Sequence, residues 1–193
     1  GQQPCSPLLL AAEVGLENTA TTRFDVANDL GTLRLEKFED LNGNGARETG
    51  EPGVPNWRFT LVNPFGAPSA AVTGPDGTIS IPNVPAGDWA VTEGRETGWL
   101  ATTPETGTVR VAPGQTGVFT AGNVRPSIIS GIVWIDTDGD GTLDREETGR
   151  RGNVTITLRG TTGQGAAVSQ TGTTIGDGTY AFPDLRPGTY SVT

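Results

Sequence analysis

An internal repeat constrains this 193-residue chain more than any other feature of its sequence. The hexapeptide DLNGNG, which begins at Asp40, recurs 96 residues later as DTDGDG, which begins at Asp136. Three further stretches recur in the same order, beginning at Asn56, Thr73 and Asn83 and again at Asn153, Thr174 and Asp184. Matches that keep their order indicate one structural unit present twice.

Each unit has the alternation of short β-strands. Apolar residues recur at every second position, as in Phe59 and Leu61, and the pairs are joined by Asp-Gly turn signals such as Asp76-Gly77. The chain contains 29 Gly and 14 Pro, which interrupt helices. The sequence therefore predicts an all-β protein made of two tandem Ig-like antiparallel β-sandwiches.

A third, partial match lies at the N-terminus. Residues 14–28 align without gaps with residues 109–123, the closing strands of the first repeat, so that Phe24 matches Phe119. The second repeat reaches Thr193, which is equivalent to Thr92, before any closing strands. We therefore predict an N-terminal segment with spare strands, a first sandwich and a second sandwich without closing strands, at residues 1–30, 31–124 and 125–193. The alternative is that 14–28 is a generic Thr-rich strand pair.

Each repeat carries a twelve-residue loop with the ligand spacing of an EF-hand. Oxygen ligands at positions 1, 3 and 5, a Gly at 6, a carbonyl at 7, a water-mediated acid at 9 and a closing acid at 12 would surround a calcium ion. The predicted ligands are Asp40, Asn42, Asn44, Ala46, Glu48 and Glu51 in loop 1 and Asp136, Asp138, Asp140, Thr142, Asp144 and Glu147 in loop 2. The alternative is a plain turn rich in Asn, Asp and Gly. Because strands flank both loops, we expect the calcium to be structural.

Charge and composition exclude several classes of function. A net charge of −9 offers no electrostatic surface for nucleic acid, and no apolar run is long enough to insert into a membrane. The absence of His and the single Cys exclude a His-dependent triad and an internal disulfide. We therefore expect no enzymatic activity. Cys5 either links two chains or stays a free thiol.

The runs LEKFEDLNGNG from Leu35, NVPAGDWAVTE from Asn83 and IVWIDTDGDG from Ile132 resemble B-type repeats of Gram-positive surface adhesins. The similar modules are the collagen-adhesin B-type and the serine-aspartate-repeat (SdrD) B-type domains. The resemblance covers about residues 32–193. It implies a prealbumin-like sandwich, bound calcium, an extracellular or cell-surface location and a role as stalk or spacer.

Some modules of this kind join a first-strand Lys to a last-strand Asn through an isopeptide bond assisted by a buried acid. The resemblance assigns these roles to Lys37, Asn123 and Glu93. Lys37 is the only lysine of the chain, and Val133 stands at the matching position of the second repeat. The alternative is a solvated Lys and a turn Asn.

These observations predict an extracellular structural subunit that binds other copies of itself head to tail, with residues 14–28 completing the second sandwich of a neighbour. The path from Asp136 through Thr193 to Asp40 of a following copy is 97 residues, nearly the internal repeat of 96. The same number fits a two-repeat window of one long tandem polypeptide. The competing functional class is an adhesive module that binds a host or glycan ligand through loops or its four Trp.

Overall fold

A computed structural model describes residues 29–193, and these residues form strands and loops without a helix. The thirteen strands are β1 (Leu30–Glu39), β2 (Arg58–Val62), β3 (Pro68–Val72), β4 (Thr78–Pro85), β5 (Gly87–Glu93), β6 (Leu100–Ala101), β7 (Thr106–Val111), β8 (Thr116–Val124), β9 (Ser127–Ile132), β10 (Thr155–Thr162), β11 (Ala167–Thr173), β12 (Thr179–Leu185) and β13 (Gly188–Val192). No long apolar helix that could cross a membrane occurs in this part of the chain. The all-β prediction is confirmed.

The first sandwich consists of two four-stranded sheets, ordered β4-β1-β8-β6 and β3-β2-β5-β7. Alternating residues of facing strands fill the space between them: Leu33 and Leu35 from β1 lie against Phe59 and Leu61 from β2, and all four are buried. The alternation of buried and exposed positions along β2 and β5 follows from the two-residue period of a strand.

One strand pair departs from the antiparallel prediction. β8 runs parallel to β1 over eight residue pairs, from Thr32↔Thr116 to Glu39↔Asn123. The chain crosses from β7 in one sheet to β8 in the other at the end where β1 begins, where Gly114 N–H donates to the Leu30 carbonyl. β8 therefore enters its sheet beside the start of β1 and runs in the same direction.

The second sandwich has fewer strands. Its sheets are β11-β10-β13 and β12-β9, and its core contains Ile156, Leu158, Phe182 and Leu185. In the first sandwich β1 has β8 as a neighbour and β5 has β7, whereas the equivalent strands β9 and β13 each have one partner among the described residues. Within residues 29–193 the second sandwich therefore has two open sheet edges where the first has closing strands.

Backbone geometry repeats at the same positions of both sandwiches. Asn56 and Asn153 have φ angles of 59° and 61°, and Asn83 and Asp184 both have 57°. These left-handed residues precede the strands that carry equivalent core side chains, and Asn and Asp tolerate this conformation better than most residues. The two sandwiches are built on one backbone plan.

Candidate metal loops and a buried lysine

Loop 1 follows β1 directly and begins at a fully buried carboxylate. Asp40 accepts hydrogen bonds from the backbone N–H groups of Asn44 at 3.1 Å and Gly45 at 2.7 Å. At the other end, Glu51 accepts from Leu41 N–H at 2.9 Å and from Glu48 N–H at 3.0 Å. The side chains at positions 1 and 12 thus close the loop into one compact unit.

The remaining polar side chains of loop 1 converge on each other. Asn42 and Asn44 both donate from their amide nitrogens to the carboxylate of Glu48. Their amide oxygens accept from the N–H groups of Asn44 and Ala46. The predicted ligands at positions 3, 5 and 9 therefore lie in mutual contact.

Loop 2 repeats this arrangement with more charge. Asp136 accepts from Gly139 N–H at 2.7 Å and Gly141 N–H at 2.9 Å, and Glu147 accepts from the N–H groups of Thr137 and Asp144. These hydrogen bonds hold the pKa values of both carboxyls below their usual ranges, with Gly141 the largest cause for Asp136 and Thr137 for Glu147. Both groups are therefore ionised at neutral pH.

Two overlapping groups of carboxylates in loop 2 could hold a metal ion. In each group the carboxylate oxygens lie within 4.8 Å of one another, and the groups are Asp136, Asp138, Glu147 and Asp138, Asp140, Asp144. Gly141, at position 6, has a φ of 77°, and Gly45 in loop 1 has 84°, as the sharp turn of such a loop requires. An all-oxygen donor set of this kind suits a hard cation.

The second group of interest surrounds Lys37, which β1 carries into the core between the two sheets. Its side chain is fully buried, and Nζ lies 3.3 Å from Oε1 of Glu93 on β5. Nζ also donates to the Phe38 and Ala121 carbonyls at 3.3 Å and lies 4.5 Å from the centre of the Trp57 ring. The ammonium group is thus enclosed by protein on every side that the structure describes.

Burial shifts both members of this pair toward their neutral forms. Desolvation lowers the pKa of Lys37 to about 8, although the carboxylates of Glu93 and Asp40 oppose the shift. Desolvation likewise raises the pKa of Glu93, against the effect of the Lys37 ammonium. Neither oxygen of Glu93 has a hydrogen bond of good geometry, so the pair is held mainly by charge. Burial thus favours the neutral form of both groups, while their mutual attraction favours the charged forms.

Asn123 lies beside this pair at the end of β8. It is 4 % exposed, its Oδ1 has no hydrogen-bond partner, and its side chain contributes to the pKa of Glu93. β8 pairs with β1, which also carries Lys37. The structure thus places a lysine, an acid and an asparagine from three strands in one buried region.

The four Trp do not form one exposed platform. Trp57 and Trp89 are buried, and the Trp57 ring meets Trp99 edge to face at a centroid distance of 5.5 Å. Arg125 covers Trp99 at 4.6 Å from the ring centre. Three of the four Trp therefore pack in the first sandwich, whereas Trp134 forms a bridge with Arg150 in the second repeat.

A buried threonine in each repeat was not predicted as important. Thr73 accepts from Trp57 N–H at 2.9 Å and donates to the Val54 carbonyl at 2.8 Å. Thr174 makes the same pair of bonds, with Val154 N–H and the Arg151 carbonyl. The sequence did contain a signal for these threonines, because Thr73 and Thr174 are the first residues of one of the repeated stretches.

The comparisons with known proteins agree with this architecture. Residues 127–193 match the family model described as the SdrD B-like domain. This part of the chain is therefore similar to an SdrD B-like domain. In an alignment 171 residues long that covers 80% of this chain, it is 36% identical to serine-aspartate repeat-containing protein D of Staphylococcus aureus strain Newman. It is 29% identical over 169 residues to serine-aspartate repeat-containing protein F of Staphylococcus epidermidis.

The chain spans only 13% of the first of these SdrD-type relatives and 10% of the second. Among solved structures, the Bacillus anthracis TIE protein matches with a TM-score of 0.46 and 19% identity, over 86% of this chain and 28% of that one. The minor pilin of Streptococcus agalactiae matches with a TM-score of 0.40 and 19% identity, over 50% and 45% of the two chains.

Proposed function

We propose that this module is a subunit of a head-to-tail, calcium-stabilised extracellular fibre, in which the N-terminal strands of one copy complete the second sandwich of a neighbour. The observation that carries the proposal is the pair of open edges on β9 and β13. Open edges present unpaired backbone N–H and C=O groups, which can pair with an added strand. The first sandwich gives the geometry of that addition, since β8 fills the edge of β1 and β7 fills that of β5.

The surroundings of the open edge in the second sandwich are suited to an incoming apolar strand. Ile128 and Ile175 are 61% and 63% exposed. A groove beside β9 and β12 is lined in part by Gly131, Ile175 and Tyr180. An added strand with alternating apolar residues would cover this surface and pair with β9 at the same time.

Residues 14–28 supply the sequence that such a strand requires. They lie outside the described residues, and their alignment with 109–123 places Phe24 where Phe119 packs against the first core. A following part of one long tandem polypeptide could complete the same edge. Denaturing gels distinguish the two cases, because separate subunits give a band near 20.0 kDa and a tandem polypeptide does not.

We assign structural calcium to both loops. In loop 2 the two groups of carboxylates support this assignment, and in both loops the left-handed Gly at position 6 supports it. When bound, calcium would supply positive charge to a loop 2 that carries five carboxylates besides Glu146 and is opposed only by Arg145. The protein's own contribution is to hold Asp136 and Glu147 ionised and in place.

We also propose a self-formed crosslink in the first sandwich. The neutral Lys37 amine attacks Cγ of Asn123, so that an Nζ–Cγ bond forms and the Cγ–Nδ2 bond breaks. Glu93 takes the proton from Nζ and delivers it to Nδ2, which leaves as ammonia. The lowered pKa of Lys37 and the raised pKa of Glu93 support these roles, since the amine must be neutral and the acid must exchange a proton.

Deleting residues 1–28 tests the strand-donation proposal. The truncated chain keeps both sandwiches but lacks the donor, so we expect it to stay soluble and to form no fibres by electron microscopy, while the full chain polymerises. A finer variant is Phe24→Asp, which places a charge at the position equivalent to the core-packed Phe119. Arg23→Asp is its control, because the equivalent Val118 is 49% exposed.

Normal fibres from the truncated chain would overturn strand donation, as would a full chain that stays monomeric at all concentrations. Equal loss of assembly in Phe24→Asp and Arg23→Asp would also contradict it, because the register predicts that only Phe24 enters a core.

A further inference from the structure

The contact between the two sandwiches within one chain is itself informative, because it joins loop 1 to the near end of the second sandwich. Gln164, at the tip of the β10–β11 hairpin, donates to the Thr102 carbonyl at 2.6 Å. Arg186 donates to the Ala101 carbonyl at 2.7 Å. A Cβ placed on Gly43 of loop 1 would lie 3.2 Å from the Pro187 ring. The second sandwich therefore contacts loop 1 around Gly43 and Gly45, while most other residues of the loop stay exposed.

The half of this junction that belongs to the second sandwich has a counterpart on the first. In the β10–β11 tip, Gly165 N–H donates to the Thr162 carbonyl and Thr162 N–H to the Ala166 carbonyl. In the β2–β3 tip, Gly66 N–H likewise donates to the Asn63 carbonyl, and Asn63 N–H donates to the Ala67 carbonyl. Phe65 thus stands where Gln164 stands, and it is 79% exposed.

Other parts of the second sandwich's contact surface are repeated as well. Pro85 and Ala86 precede β5 as Arg186 and Pro187 precede β13. With Phe65 they line part of a cavity at the end of the first sandwich, which we call the end surface. Its apolar residues include Leu30, Phe65, Pro85, Ala86 and Pro113, and Asp29 and Arg110 also line it. Nothing in the described chain covers Phe65.

Loop 1, which belongs to the other half of the junction, has a counterpart in loop 2, and no described residue contacts the two glycines of that counterpart. Gly139 and Gly141 of loop 2 are equivalent to Gly43 and Gly45 of loop 1. A Cβ on Gly139 or Gly141 would meet no atom within 4 Å, whereas one on Gly45 would lie 3.0 Å from both Gln164 and Thr102. Each chain thus presents the loop of one half and the end surface of the other, whereas Ala101 and Thr102, whose carbonyls accept the internal hydrogen bonds, have no counterpart among residues 125–193.

The geometry points to a second copy of this chain as the partner: loop 2 (residues 136–147) of one copy docks on the end surface of the first sandwich of the next. This inference rests on the proposed head-to-tail assembly and adds to it a direct contact between the folded sandwiches of two copies. Because the two surfaces differ, the contact is heterologous and propagates along a line.

The length of the connecting chain agrees with this docking. Within the chain, β8 ends at Val124 and β9 begins at Ser127. Between copies, the proposed donor segment would end at Asn28, and β1 begins at Leu30. If the donor segment of one copy is inserted into the second sandwich of its neighbour, the first sandwich of the donor copy follows within two residues. The internal junction has a similarly short connection.

A crosslinking experiment tests the contact directly. In a Cys5→Ser background, full-length chains carrying Phe65→Cys are mixed with chains carrying Thr142→Cys, which keeps the carbonyl at loop position 7. We expect a short bis-maleimide to give a heterodimer that joins residues 65 and 142. Val118→Cys mixed with Thr142→Cys is the matched control, since Val118 is exposed on β8 and lies outside the end surface.

Sedimentation of single variants gives a second readout. Phe65→Asp should weaken association of the full chain by about tenfold or more, while Val118→Asp should leave it near wild type. Assembly of the wild type without a 65–142 crosslink, and with no effect of Phe65→Asp, would overturn this docking and leave strand donation standing. A wild-type chain that never assembles would overturn both.

Discussion

At the scale of single residues, Lys37 occupies a position that the strand period reserves for an apolar side chain. Leu33 and Leu35 precede it on the same face of β1, and all three are fully buried. Its partner Glu93 is 4 % exposed. Removing one member of a buried ion pair leaves the other uncompensated, which is usually strongly destabilising. Burying the two groups costs desolvation energy, and the proposed crosslink would give the pair a purpose.

The mass of the intact chain tests that purpose. Formation of the bond releases ammonia, so we expect a mass about 17 Da below the sequence value. Glu93→Gln should restore the full mass, because the proton relay is lost, and Lys37→Met should do the same. Glu105→Gln, which removes a partly exposed acid paired with Arg95, should keep the loss. A wild-type chain with its full sequence mass would remove the crosslink.

At the scale of elements, a buried hydroxyl ties together the segments around each first hairpin. Thr73 follows β3 and bonds both Val54 and Trp57, which lie on the approach to β2. Asn56 turns the chain here with a positive φ, and the Trp57 N–H and the Val54 carbonyl on either side of it bond to the Thr73 hydroxyl. The side chain thus satisfies backbone groups that the turn leaves free.

Replacing this hydroxyl by a methyl group should be destabilising. Thr73→Val keeps the shape but leaves a buried N–H and a buried C=O unpaired, so we expect a loss of about 1–3 kcal/mol in the free energy of unfolding. Thr73→Ser keeps the hydroxyl and should lose much less. Urea denaturation of the three chains measures the difference, and equal stability of the Val and Ser variants would contradict this role.

These elements also show what the sequence could predict. The duplication, the turns and the oxygen-rich loops were readable because each depends on local spacing, and Asp76-Gly77 and Asp177-Gly178 lie in the turns before β4 and β12. The parallel pairing of β8 with β1 was missed because it depends on which sheet the chain enters after β7. The contact of Gln164 with loop 1 was missed because it joins residues from two repeats.

At the scale of the whole molecule, the two metal loops have different surroundings and different charge. Loop 1 begins at the buried Asp40 and contacts the second sandwich at Gly43, whereas Asp136 in loop 2 is exposed. Loop 2 has acids at positions 3 and 5 where loop 1 has Asn42 and Asn44. Because ligand charge raises affinity, we expect loop 2 to bind calcium more tightly.

Calorimetric titration of the full chain should therefore resolve two affinities. Asp138→Asn together with Asp140→Asn gives loop 2 the composition of loop 1 and should weaken its binding. Calcium at a hundredfold excess over Kd should stabilise the folded state by about 2.7 kcal/mol per site, so a chelator should lower Tm. An unchanged Tm after chelation would end the assignment of structural calcium.

The parallel pairing of β1 with β8 has a consequence for a chain under tension. The strands start at one end of the first sandwich and finish at the other, so a pull between Leu30 and Val124 drags them past each other lengthwise. Their hydrogen bonds would then be sheared together rather than opened one by one. A bond from Lys37 to Asn123 would transfer the load from β1 to the end of β8, and the loop-rich remainder of the domain would carry none of it.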